Sequence, residues 1–125
     1  MSHFPHFTFH ELTKSSVSSE NYPALIDHVE NLVHLAQVLE DIREEFGAPI
    51  VVTSAFRTPI VNHEVGGVPN SFHLQGRAAD IRPNLHPSNQ YYWNFQRLLD
   101  VVKTFDDILE EIIVDPKSRY IHIAI

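Results

Sequence analysis

Ser71-Phe72-His73-Leu74-Gln75-Gly76-Arg77-Ala78-Ala79-Asp80-Ile81 reads as a tight bend running into a strand. Gly76 permits the bend because it has no Cβ. Ala78 to Ile81 then fit a buried strand. On the N-terminal side, Ile50-Val51-Val52-Thr53 is a short β-branched strand. Ser54 to Gly67 turns into a short helix around Pro59 to His63, ended by Gly66-Gly67. Farther out, Pro23 to Phe46 is helical, with Leu25, Ile26, Val29, Leu32, Val33, Ala36, Leu39, Ile42 and Phe46 recurring mostly at spacings of three and four. Gly47 and Pro49 stop that helix. Lys14 to Asn21 is a Ser-rich loop. Before it, Phe4, Phe7, Phe9 and Leu12 form an arm expected to pack on the domain, and Thr8 with Glu11 fits a capping box for a helical turn.

On the C-terminal side, Asn84 to Gln90 is a loop. Tyr91 to Lys103 is an amphipathic helix with Trp93, Phe95, Leu98, Leu99 and Val102 as candidate core residues. Leu109 to Val114 and Tyr120 to Ile125 are two strands, and Asp115-Pro116-Lys117-Ser118 between them signals a hairpin. The order is helix, strand, helix, strand, helix and hairpin. It predicts one α+β domain over residues 1–125, with a small, mainly antiparallel sheet covered by helices.

Composition narrows the function. The 125 residues are 43% hydrophobic and 20% charged, as in a globular protein. Nine Lys and Arg stand against sixteen Asp and Glu, a formal charge of −7. That argues against a nucleic-acid binder, which needs a basic face. No apolar stretch approaches the roughly 18 to 20 residues that span a bilayer. The opening MSHFPHFTFHEL lacks the features of a signal peptide, and localisation stays unassigned. There is no cysteine, so a transition-metal site here must use imidazole and carboxylate.

Nine histidines supply candidates. His73 and Asp80 are seven residues apart, around Gly76. His122 lies between Ile121 and Ile123, where an imidazole needs partners for its ring nitrogens. Two His and one Asp with an open fourth position would suit a catalytic zinc. Spacing alone does not select this set in so His-rich a chain. His3, His6 and His10 read as arm and surface residues, and His63 as a cleft-lining candidate. His28 and His34, six apart, do not share a helix face. Tyr91-Tyr92-Trp93 suits helix packing or a stacking wall.

The stretch Ser71 to Asp80 resembles the S-x-H-x-x-G-x-A-x-D motif of the zinc D-alanyl-D-alanine carboxypeptidases and related peptidoglycan endopeptidases, peptidase family M15. Further segments are similar in order. Phe7-Thr8-Phe9-His10-Glu11-Leu12 resembles F-T-x-x-E-L, and Val52 to Pro59 resembles V-T-S-G-Y-R-S-P. Asn62 with Val65-Gly66-Gly67 resembles N-x-x-V-G-G, Phe105 to Glu111 resembles F-D-Q-L-I-x-E, and Tyr120-Ile121-His122-Ile123 resembles W-I-H-V. The resemblance covers almost the whole chain and implies a fold like that of the DD-peptidases and Hedgehog domains. It implies His73, Asp80 and His122 as zinc ligands. Arg57 would bind a substrate carboxylate or polarise the scissile carbonyl, and Ser71 would bind substrate or orient the first ligand. Glu111 would be the general base, with Glu110 on the opposite face of any strand.

The sequence departs from the family at Tyr120, where Trp is usual, and in the length and proline of Val114 to Arg119. Neither Arg119 nor Tyr120 supplies the acid or His that many relatives carry just before the last ligand. The resemblance implies a monomeric zinc peptidase cutting the peptide stems of peptidoglycan, as carboxypeptidase or endopeptidase. The alternative is a non-catalytic, zinc-containing module that binds cell-wall peptide or serves as a phage structural part. Iron and other first-row metals can compete for such a ligand set.

Overall fold

The computed structural model describes residues 4–18, 20–84, 91–115, 117 and 119–125, and the side chains of 94 onward in the last helix. The element order is α1 Phe9–Thr13, α2 Ile26–Phe46, β1 Ile50–Ser54, α3 Pro59–Glu64, a 3-10 turn Phe72–Gln75, β2 Ala78–Pro83, α4 Tyr91–Lys103, β3 Glu111–Asp115 and β4 Tyr120–Ala124. The four strands form one antiparallel sheet in the order β1-β2-β4-β3. The fold is α+β, as the sequence predicts. β2 and β3 run parallel with β4 between them, so β2–α4–β3 is a split βαβ unit.

Alternation along the strands decides what each face carries. Val52 pairs with Ile81, and Ile81 with Ile121. Ala79 pairs with Ile123, and Ile123 with Ile112. These side chains build the core with Leu35, Leu39 and Ile42 of α2 and Leu98 and Val102 of α4. The opposite face carries Asp80, His122 and Ile113, which are successive cross-strand partners. It also carries Ala78, Ala124 and Glu111, one step along the ladder. The apolar core therefore sits on one side of the sheet, and the chemistry sits on the other.

Local signals set the boundaries. Thr8 caps α1 by accepting from the Glu11 amide at 3.2 Å. Gly47, at φ 72°, ends α2 and donates its N–H to the Arg43 carbonyl. Pro59 opens α3 behind the cap Thr58, whose side chain accepts from the Val61 amide. In β1, Thr53 and Ser54 together oppose Asp80, a β-bulge. It lets Val52 face the core while Ser54 reaches the site.

Three expectations are corrected. The long helix begins at Ile26, not Pro23, because Leu25 holds an extended backbone and serves as the N-cap. Leu25, Val29 and Val33 are exposed, and Ile26 is 74% exposed, whereas Leu35 and Val38 are buried. The arm buries Phe7 and Leu12 but leaves Phe9 exposed. The last hairpin starts at Glu111 rather than Leu109, since residues 104–108 form a turn. His3, His86, the loop residues Pro116 and Ser118, and the Tyr91-Tyr92-Trp93 side chains lie outside the described residues.

Candidate metal centre

His73 enters from the 3-10 turn. Ser71 caps that turn, its Oγ accepting from the His73 amide at 3.1 Å. Gly76 closes it at φ 72°, and a Cβ there would lie 2.7 Å from the His28 carbonyl oxygen and 3.0 Å from Leu32 Cγ. The turn is therefore pressed directly against α2. Asn31 of α2 adds a hydrogen bond from Nδ2 to the Gln75 carbonyl at 2.8 Å. The ring of His73 is buried, with Nδ1 on the Ala55 carbonyl at 2.6 Å. That carbonyl fixes the tautomer with the proton on Nδ1 and leaves Nε2 as a donor atom.

Asp80 comes from the middle of β2. Its Oδ1 lies 3.2 Å from His73 Nε2 and 2.9 Å from His122 Nδ1. The two rings meet edge to face, 5.2 Å between centroids. One ligand atom from each of His73, Asp80 and His122 lies within 4.8 Å of the others. A buried nitrogen, a half-buried one and a carboxylate oxygen this close fit a divalent metal ion. They are the only such group among the described residues.

The remaining expected residues surround this group. Arg57 donates from Nε to Ser54 Oγ at 3.0 Å, from Nη1 to Asn62 Oδ1 at 3.2 Å, and from Nη2 to Asp80 Oδ2 at 3.4 Å. Asn62 is itself fixed by donating from Nδ2 to the Val68 carbonyl at 2.8 Å. A Cβ on Gly67 would strike the Asn62 side chain, so the glycine makes room for this clamp. Asp80 thus shows Oδ1 to the histidines and Oδ2 to the guanidinium. Glu111 Oε1 lies 2.9 Å from His122 Nε2. Glu111 pairs with Ala124 and reaches His122 diagonally across the β3–β4 ladder. Glu110 lies before β3, and its amide donates to the Ala124 carbonyl at 2.8 Å.

Electrostatics follow from the contacts. Burial alone would raise the Asp80 carboxyl, but the hydrogen bonds and charges of His122 and His73 hold it at about 2. Burial works against a charged His122, yet hydrogen bonds to Asp80 and Glu111 raise it above its usual value. Burial lowers Arg57 against the opposing pull of Asp80. Tyr120, on the same face as His122, is raised by burial and by Asp80 and Asp115.

The sequence offers His73, Asp80, His122, Arg57, Glu111 and Ser71 as candidates; the fold joins the first five by direct side-chain contacts, whereas the Ser71 hydroxyl reaches the His73 backbone amide. His63 lines a separate hollow with Asn62, Pro69 and Leu74. His6 lies on the surface, paired with Glu40 at 2.7 Å. Three residues had no role assigned. Ser54 and Asn62 hold Arg57, and both stand inside segments that resemble the family. Asn21 is buried and had no signal beyond closing a Ser-rich loop. It donates to the Thr13 and Phe56 carbonyls, each at 2.8 Å, and accepts from the Thr58 amide at 2.9 Å. It thereby grips both sides of Arg57.

Two imidazoles and a carboxylate on an open sheet face, with a second carboxylate and an arginine beside them, are the equipment of a metal-dependent hydrolase. A family model described as Peptidase M15 matches residues 5–124, and the chain belongs to that family. No match was found among the curated proteins. Peptidases of this family are zinc-dependent, so the protein is a peptidase of the metal-dependent kind that acts on a peptide substrate. No helix among the described residues is long and apolar enough to cross a membrane.

Proposed function

We propose that this protein is a zinc peptidase that hydrolyses peptide bonds in the stem peptides of peptidoglycan. The observation that carries the reading is the approach of His73, Asp80 and His122 to within 4.8 Å of one another. His73 would ligate through Nε2, Asp80 through Oδ1 and His122 through Nδ1. When bound, zinc would polarise a carbonyl and lower the pKa of a water toward about 7.

The protein's own residues do the rest. Ala55 and Ser71 orient His73, and Glu111 orients His122 through Nε2. The other oxygen of Glu111, Oε2, takes a proton from the attacking water and returns it to the leaving amine. Arg57 keeps Asp80 in its one-oxygen presentation and turns its remaining N–H groups to the substrate. Substrate lies over the free face of the sheet.

The test is metal content together with hydrolysis. The untagged protein is assayed for bound metal and incubated with purified peptidoglycan and with stem peptides ending in D-Ala-D-Ala. About one zinc per chain with chelator-sensitive cleavage supports the reading. Zinc without turnover on any wall substrate refutes it in favour of a non-catalytic binding module. Glu111→Gln keeps an acceptor for His122 but cannot take a proton. It is expected to retain zinc and lose about 10² to 10⁴ in rate, and full activity in that variant would leave Glu111 only its orienting role.

A further inference from the structure

Cross-strand pairing lays the site face out in rows. Glu111 stands in one row with Ala124 and Ala78. Ile113, His122 and Asp80 make the next, which carries two of the candidate ligands. Tyr120 and Asp115 stand in the row beyond it. Glu111 and Tyr120 therefore flank the ligand row from opposite sides. The two sides differ in openness. Ala78 and Ala124 are fully buried, so the floor beside Glu111 is covered. Tyr120 is only partly buried and Ile113 is 52% exposed, so the face opens toward Tyr120.

The Tyr120 side chain is within reach of the centre. It stands two residues before His122 on the same face of β4, about 6.6 Å along the strand. Asp80 pairs with His122, which makes Tyr120 its diagonal neighbour across β2 and β4, at the roughly 7 to 8 Å that an aromatic side chain still bridges. Burial, Asp80 and Asp115 raise the phenol and Arg57 opposes them, so the ring feels both charged groups of the centre. Among the described residues its hydroxyl has no hydrogen-bond partner. A phenol keeps its proton up to a pH of about 10, so an uncommitted O–H donor faces the cleft. Its place matches what the chemistry needs. Glu111 takes a proton from the attacking water on its own side of the ligand row. As the water oxygen bonds the carbonyl carbon, the π pair of the C=O bond moves onto the carbonyl oxygen. With the base on the Glu111 side, that oxygen lies toward Tyr120. A donor already aimed where charge develops is a strong stabiliser, because nothing has to reorganise.

We propose that the Tyr120 hydroxyl is a catalytic donor that hydrogen-bonds the oxygen of the scissile carbonyl as the tetrahedral intermediate forms. The hydroxyl keeps its own proton throughout. When the intermediate collapses, the electron pair returns to the C=O bond, the C–N bond breaks, and Glu111 delivers its proton to the leaving amine. This deepens the peptidase reading and rests on it.

Tyr120→Phe removes the hydroxyl and keeps the ring, and two arms separate the inference from that reading. In the first, zinc-loaded wild type and variant are titrated by calorimetry with a phosphinate analogue of D-Ala-D-Ala. Its tetrahedral phosphorus carries the charged oxygen of the intermediate, and no cleavage is needed. Loss of the hydroxyl should weaken the phosphinate by about tenfold or more. The planar peptide D-Ala-D-Ala, measured in a Glu111→Gln background so that it persists, should bind equally with and without the hydroxyl. In wild type, the NMR signals of the Tyr120 ring should shift when the phosphinate binds. Equal phosphinate binding by the two proteins, or ring signals unmoved by it, overturns the inference. The second arm is turnover of a stem peptide ending in D-Ala-D-Ala. Tyr120→Phe should lower kcat by about 10² to 10³ with KM held, and its zinc content and unfolding midpoint should equal those of wild type. A raised KM with kcat held, or lost zinc, makes Tyr120 a substrate contact or a support for His122 and overturns the inference, leaving the peptidase reading standing. No turnover by wild type, with phosphinate binding still dependent on the hydroxyl, sinks the peptidase reading and keeps the donor contact.

Discussion

Gly66 and Gly76 share a left-handed backbone, at φ 75° and 72°, yet meet different surroundings. A Cβ on Gly66 would meet nothing within 4 Å, whereas one on Gly76 would lie 2.7 Å from the His28 carbonyl oxygen. Alanine at either position costs about 1 to 2 kcal/mol for the left-handed conformation. It recovers about 0.4 to 1 kcal/mol by restricting the unfolded chain. Gly66→Ala should therefore destabilise by roughly 0.5 to 1 kcal/mol. Gly76→Ala must also open its contact from 2.7 Å to the 3.4 Å of ordinary packing, a displacement of about 0.7 Å against a helix backbone. Overpacking of that kind adds about 1 to 3 kcal/mol, for a total near 2 to 4 kcal/mol. The displaced turn carries His73, and metal sites tolerate only about 0.5 Å of error. Zinc affinity should fall about 10- to 100-fold in Gly76→Ala and hold in Gly66→Ala. Urea unfolding of the metal-free variants measures the first quantity, and competition with a chromogenic chelator measures the second. Equal destabilisation by the two alanines, or unchanged zinc affinity in Gly76→Ala, would refute the argument that α2 sets the position of His73.

Three further outcomes are expected. Asp80 titrates at about 2 in the metal-free fold against 3.8 when unperturbed, worth about 2 kcal/mol at 1.36 kcal/mol per pKa unit. A depressed carboxylate contributes fully above its unfolded value and loses the contribution as pH falls through its folded value. The stability gap between metal-free wild type and Asp80→Asn should then narrow by about 2 kcal/mol from pH 5 to pH 2, and a constant gap in urea titrations would contradict this. Asn21→Ala strands two carbonyls and an amide and should cost about 2 to 4 kcal/mol in the same assay; a loss below about 0.5 kcal/mol would show that water replaces the side chain. Zinc at a hundred times its Kd should stabilise the protein by about 2.7 kcal/mol, a gain seen as a rise in Tm and abolished in His122→Ala.

The fold was legible where one face of an element is apolar and one polar. Val52, Ile81, Ile121 and Ile123 alternate with site residues, so strands β1, β2 and β4 could be read from residue type. The start of α2 could not, because Leu25 caps the helix from extended backbone and makes no side-chain capping hydrogen bond that would mark the boundary. The ligand set was legible only through its resemblance to the family, since His73 and Asp80 lie seven residues apart and His122 is 42 beyond Asp80. The partners of Arg57 were hidden for another reason. Ser54 reaches it because β1 bulges, and Asn62 because a glycine leaves space, and both depend on backbone geometry rather than composition.

That separation along the chain has a kinetic side. Ser54, Arg57, Asn62, His73 and Asp80 come from one short run and can gather through local turns, with small loop-closure cost. His122 arrives only when β4 slots between β2 and β3, the longest closure the centre requires. A chain folded everywhere except that strand would offer two ligands and bind an ion weakly. Tight metal uptake would thus mark the moment at which the last strand has docked, and its rate would report that step of folding directly.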